Sequence, residues 1–309
     1  MSGRGREKSF DGLPVRAFYP EHRGGVVAEE AAWFLEAEYS GPPGLAEVIE
    51  AFFAATDSTR VTTLLLGYIG ADGPTGTEIL MDVADRLPRL RALSLGHEQD
   101  FGFMERSDDF TPLLDRFPRL ERLDVRGKYD LEFQPVRHGS LKTLRVESCN
   151  LPAEVMRAIA DSDLPALERL DVWLGVDGGH IEVADEGDLG AVLTGERLPS
   201  LRALALENSG VQDEIAERIA TAPVVARLRR LSLARGTFSD RGAEALLTGQ
   251  PLTHLEHLDL HHHYLSDDMA ARLEAALPTT EVDVSEGRGA WYGPFDEEVF
   301  NFVQDGRDF

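Results

Sequence analysis

The apolar residues of this chain are spaced in a way that neither an isolated helix nor an isolated strand produces. The hexad Leu-x-x-Leu-x-Leu recurs as VTTLLL, LRALSL, LERLDV, LKTLRV, LERLDV, LRALAL, LRRLSL and LEHLDL. These copies start at Val61, Leu90, Leu120, Leu141, Leu167, Leu201, Leu228 and Leu255, at intervals of 29, 30, 21, 26, 34, 27 and 27 residues. A degenerate ninth copy, EVDV, ends at Val284. Positions four and six of each hexad alternate with polar residues, so on a strand they point to one face. Copies placed side by side make a parallel sheet, and each intervening segment crosses back over the buried face. A recurrence near 20–29 residues is the signature of a solenoid of short strand-plus-crossover units.

Several crossovers switch to helical spacing. Thr77 to Leu87 carries Ile79, Leu80, Val83, Ala84 and Leu87 on one face, and Glu214 to Ala222 and Asp240 to Gly249 repeat the pattern. Asp267 to Leu277 does too, with Ser266 placed to cap it. Pro88, Pro118, Pro165 and Pro199 each stand two residues before a hexad, where they end the crossover. The segment KYDLEFQPVRHGS is too short for a crossover helix and is expected to be extended, and 177–188 is expected to project as a loop. The predicted organisation is a single domain. An N-terminal cap of strand and helix spans 1–60, repeats span 61–284, and a C-terminal cap or tail spans 285–309. In the N-terminal cap, Leu45, Val48, Ile49, Phe52 and Phe53 form the buried face of a helix; in the C-terminal one, Trp291, Tyr292, Phe295, Phe300 and Phe302 are expected to cover the last repeat.

On these motifs the chain resembles ribonuclease-inhibitor-like leucine-rich-repeat proteins. Stretches such as LDLHHHYLSDDMAARLEAALP and LPAEVMRAIADSDLPALERLDVWLG resemble a largely uncharacterised bacterial stand-alone group within them. The resemblance implies an α/β horseshoe with a concave parallel sheet and a mostly helical convex side. It implies almost nothing about function. It also implies that the ninth residue of a unit, here Cys149, Ser209 or His263, turns inward to satisfy backbone groups at the bend, so Cys149 is expected to be buried and structural.

Charge narrows the choice of partner. Asp and Glu number 55 against 31 Lys and Arg, a formal net charge of -24. Long-range repulsion disfavours nucleic acid and anionic membranes, and favours a basic protein or peptide. One cysteine suits a reducing compartment. The basic start MSGRGREKSF is followed by no apolar stretch, and no run approaches the roughly 20 residues that span a bilayer. A cytoplasmic monomer is expected.

Candidate chemistry sits at positions three, five and seven, which face away from the core. In register, Asp124, Arg145 and Asp171 alternate in charge along position five, with Arg126 beside Glu147 along position seven. The expected interaction surface is Arg122, Asp124, Arg126, Arg145, Glu147, Arg169, Asp171, Trp173 and Glu207, extended by His257, Asp259 and His261. Trp173 is expected to stand exposed as its anchor, the alternative being that it folds down under the 177–188 loop as local core. His257, Asp259 and His261 offer zinc donors, but strand residues two apart lie about 7 Å apart with parallel side chains. No metal or other cofactor is therefore expected. No nucleophile–base pair, Gly-x-Ser-x-Gly, phosphate loop or His-Glu-x-x-His is present. The expected function is a non-catalytic scaffold binding a protein or peptide on the concave face. The alternatives are an accessory, substrate-presenting subunit of an enzyme system and a weak metal-dependent hydrolase using the His257–His261 strand.

Overall fold

A computed structural model of the chain describes residues 9–21, 26–38, 41–67, 73–96, 108–127, 131–175, 184 and 187–288, and the backbone of 291–292 and 299–300. The chain opens with β1 (Ser9–Phe10), β2 (Leu13–Ala17), β3 (Ala32–Leu35) and α1 (Leu45–Ala55). It continues through β4 (Thr63–Leu66), α2 (Gly76–Val83), β5 (Ala92–Leu95), β6 (Asp108–Asp109), α3 (Thr111–Arg116), β7 (Arg122–Gly127) and β8 (Leu131–Glu132). Next come β9 (Thr143–Ser148), α4 (Ala153–Asp161), β10 (Arg169–Gly175), α5 (Gly190–Thr194), β11 (Ala203–Ser209) and α6 (Gln212–Ile219). The last elements are β12 (Arg230–Ser232), α7 (Asp240–Thr248), β13 (His257–Asp259), α8 (Asp267–Ala276), β14 (Glu281–Asp283), β15 (Trp291–Tyr292) and β16 (Val299–Phe300).

Twelve strands form one open sheet in the order β1-β2-β3-β4-β5-β7-β9-β10-β11-β12-β13-β14. All neighbours are parallel except β1 and β2, an antiparallel hairpin turning at Asp11 and Gly12. Both turn residues have positive φ, 49° and 78°, which the Asp-Gly sequence tolerates and which matches strand twist. Every hexad supplies one strand. Leu64, Leu93, Leu123, Leu144, Leu170, Leu204, Leu231 and Leu258 stand side by side in register and are buried between sheet and helices. The predicted burial of Leu45, Val48, Ile49, Phe52 and Phe53 on α1 is also found.

The unit predicted to lack a crossover helix, 128–140, departs from the pattern as expected. Between β7 and β9 the described residues hold no helix; β8 instead pairs in parallel with β6. The 177–188 loop lies mostly outside the described residues, and so do the side chains of the C-terminal aromatics, of which the backbone pairing of β15 with β16 is described. Glycine is required at Gly175, the end of β10: its φ is +81°, and a β-carbon there would lie 1.7 Å from the Cys149 carbonyl oxygen.

Successive helices are also tied to one another. Asp213, in the first turn of α6, accepts hydrogen bonds from Ser239 N at 2.8 Å, Ser239 Oγ at 2.5 Å and Gly242 N at 3.1 Å, at the start of α7. Asp240, in the first turn of α7, accepts from Ser266 N and Oγ, both at 2.8 Å, at the start of α8. Ser266 in turn caps α8 through Met269 N. The bends at Ser209 and His263 behave as the resemblance implies: Ser209 Oγ accepts from Val211 N, and His263 bridges Val284 O and Leu265 N. Cys149 is half-buried where full burial was expected, and beside it Ser148 Oγ accepts from the Asn150 N–H.

Candidate functional site

The sheet face turned away from the helices carries positions three, five and seven. Along position five, Asp124 pairs with Arg145 and Arg145 with Asp171, directly across parallel strands; farther along, Ser232 pairs with Asp259 and Asp259 with Asp283. The alternation read from sequence is therefore a physical row, and the structure adds a layering that sequence did not reveal. The carboxylates lie against the sheet and are buried: Asp124, Glu147, Asp171 and Glu207. The guanidinium groups lie over them. Arg122 grips Asp124 through two bonds of 2.9 and 2.7 Å. Arg126 Nε donates to Glu147 at 2.6 Å, and Arg145 pairs with Glu147 and, at 3.7 Å, with Asp171. Arg169 donates to Asp171 at 2.9 Å and remains 49% exposed at its side chain. The acids thus fix the arginines, and the surface that remains is largely guanidinium.

Burial sets the electrostatics. It opposes charge on Arg145, but Glu147, Asp171, Asp124 and Glu207 outweigh it and hold the guanidinium firmly protonated. Burial likewise opposes charge on Glu147, yet Arg145 and Arg126 keep its carboxyl below the usual range. Glu207 goes the other way. Burial, followed by the neighbouring charge of Asp171, pushes it up to about 7. Its oxygens accept from Ser232 Oγ at 2.5 Å and from the Trp173 indole at 3.0 Å, with Arg235 at 3.6 Å.

Trp173 departs from its expected role. It is only 1% exposed, so it is not a standing anchor. Its indole N–H is taken by Glu207, and the Arg126 and Arg235 guanidiniums lie 5.9 and 5.1 Å from its ring. The ring supports the arginine layer from beneath. Arg235 and Ser232 were missed as site residues. Arg235 occupies position eight, where the chain turns left-handed in three successive units, at Asn208, Arg235 and His262, with φ of 55°, 66° and 56°. That bend lets Arg235 reach Glu207 and Trp173 on the neighbouring strand. The recurrence of position eight was legible in the sequence, but its handedness was not, because Arg235, unlike Asn208 and His262, is not of a type enriched in the left-handed region.

On the histidine strand His257, Asp259 and His261 do not form a converging set, as their spacing implies. The group that does converge, which sequence reasoning missed, is Asp259, His261 and Asp283, whose donor atoms lie within 4.8 Å of one another, drawn from β13, the residues just after it, and β14. His261 Nδ1 lies 2.6 Å from Asp259 Oδ1, and that hydrogen bond raises the imidazole above its usual range against partial burial. Asp283 accepts from the Ser285 backbone N–H, which helps hold its carboxyl low. His257 stays one row away, between Arg230 and Glu281.

No known protein-family profile matches the chain, and no curated protein matches it. Among solved structures it is similar to a Bacteroides fragilis structural-genomics protein, with a TM-score of 0.76 at 22% identity over 90% of this chain and 78% of that one. This likeness concerns the fold alone. A Leptospira interrogans leucine-rich-repeat protein also aligns, at a TM-score of 0.23 and 13% identity over 81% of this chain and 89% of the other. Among the described residues, no helix is long and apolar enough to cross a membrane.

Proposed function

We propose that the chain is a ribonuclease-inhibitor-like leucine-rich-repeat solenoid that acts as a non-catalytic, cytoplasmic, monomeric scaffold, binding a partner protein on its concave sheet face. The carrying observation is the ordered guanidinium layer over buried acids between β7 and β12. Five arginines on this stretch, Arg122, Arg126, Arg145, Arg169 and Arg235, face four carboxylates, Asp124, Glu147, Asp171 and Glu207. Arginine held in this way loses little conformational entropy on binding and is prominent in interface hot spots. The overall acidity favours a basic partner at long range, but the contacting groups on this face are cationic. Its partner therefore presents carboxylates or backbone carbonyls to the layer.

Crosslinking in lysate of the native host tests the proposal. The wild-type chain should capture a defined partner, and Arg169→Glu together with Arg126→Glu should abolish capture while the melting temperature of each variant is followed. Undiminished capture by folded charge-reversed protein would place binding elsewhere.

A further inference from the structure

The same face ends, at β13 and β14, in a cluster of different chemistry. We propose that Asp259, His261 and Asp283 form a binding site for one divalent cation, zinc foremost. This goes beyond the scaffold reading and does not depend on it.

Three observations converge. First, register places Asp259 directly opposite Asp283, and like charges so placed in a ladder repel. Between β7 and β12 the fold answers each buried acid of these rows with a guanidinium: Arg122 for Asp124, Arg126 for Glu147, Arg169 for Asp171 and Arg235 for Glu207. Among the described residues Asp259 has only the His261 imidazole as an ion-pair partner, and Asp283 has none. The missing positive charge is what a bound cation supplies.

Second, the donors are close and accessible. One donor atom from each residue falls within 4.8 Å of the others. Ligands about 2.0–2.1 Å from a tetrahedral zinc lie about 3.3 Å apart, so side-chain rotation of roughly 1.5 Å closes the set. His261 and Asp259 retain 17% and 20% side-chain exposure, so they can rotate and an ion can reach them.

Third, His261 and Asp259 already meet: Nδ1 lies 2.6 Å from Asp259 Oδ1, so a cation that displaces the proton they share bridges the two, with the Asp283 carboxylate across the ladder. One imidazole with two carboxylates suits zinc, and then manganese, better than calcium, which needs six to eight oxygens, or copper(I), which prefers sulfur. His257, one row away, lies outside the set.

The test uses full-length, tag-free protein, treated with chelator and titrated with zinc chloride at pH 8 by calorimetry. One equivalent should bind, with the dissociation constant at least tenfold weaker in Asp283→Asn and in His261→Ala, and within about twofold of wild type in His257→Ala. Zinc should raise the melting temperature of the wild-type chain and not of the first two variants. X-ray absorption of the zinc-loaded wild-type chain needs no variant to fold, and should show one imidazole among oxygen donors. Sub-stoichiometric zinc, unchanged affinity in folded Asp283→Asn, or two or more imidazoles at the metal would each overturn the assignment.

Discussion

Two stretches of the same sheet face share a backbone and a register but meet solvent in opposite ways. From β3 to β5 the apolar outward positions Ala32, Phe34, Leu65 and Ala92 lie beside the small buried Thr63 and Ser94, and the chain closes over them itself with Phe10 of the β1–β2 hairpin. From β7 to β12 the outward positions carry the acids and arginines, and the covering layer is made of their own guanidiniums. At the seam between the two, Arg122, on β7, lies with its guanidinium 3.9 Å from the Phe10 ring centre. The core-facing positions are apolar in both stretches. Whether a unit seals or offers its face is therefore decided at positions three, five, seven and eight.

Trp173 and Phe10 are buried aromatics on that one face, and truncating each separates the two modes of cover. Trp173→Ala should be the costlier, at about 4 kcal/mol, because it removes a large buried ring and leaves Glu207 without its indole donor. Denaturant melts should show the loss as global, and a change of under 1 kcal/mol would return Trp173 to the exposed role first expected of it. Phe10→Ala should cost about 3 kcal/mol, at the low end for a buried phenylalanine. Hydrogen exchange should localise it to β1, β2 and their contact with β4; fast exchange spreading to β10 would contradict the separation.

Glu207→Gln sharpens the comparison through pH. The Glu207 carboxyl, at about 7 in the folded chain against an ordinary 4.5, retains a proton that the unfolded chain has released. Its contribution is complete below pH 4.5 and is lost as pH rises through 7, so the variant should gain on wild type between pH 5 and 8, by no more than about 1.4 kcal/mol per pH unit. Glu147 acts with the opposite sign: its lowered carboxyl stabilises above its ordinary 4.5, and that contribution is lost as pH falls below that value. Urea melts at pH 5 and 8 check this, and parallel curves for variant and wild type would remove Glu207 from the titration. The smallest effect is expected at Arg169→Ala. Arg169 is half-exposed and the buried Asp171 keeps Arg145 as a second partner, so the loss should be about 1 kcal/mol of stability, while crosslinked partner is lost. A large drop in melting temperature would make Arg169 a structural residue instead.

The hexad made the sheet, its order and its register legible, because a period of two on a buried face admits no one-residue slip. The alternating charges of Asp124, Arg145 and Asp171 followed from that register. Depth did not. Trp173 and Asp171 occupy outward positions and yet are buried, because long arginine side chains from neighbouring strands fold across them. That is a property of side-chain length and partner choice, not of spacing. The convergence at Asp283 was hidden for a related reason. Attention to one strand pairs His257 with Asp259, whereas the closest neighbours of a residue in a parallel sheet lie on the adjacent strand.

The acids that join α6 to α7 and α7 to α8 make the C-terminal helices interdependent. Asp213 completes the start of α7 and Asp240 the start of α8, and each following helix answers with a guanidinium, Arg241 of α7 to Glu214 of α6 and Arg272 of α8 to Glu244 of α7. A fault in one helix is therefore felt on both sides of it, as a dropped stitch is by the rows above and below.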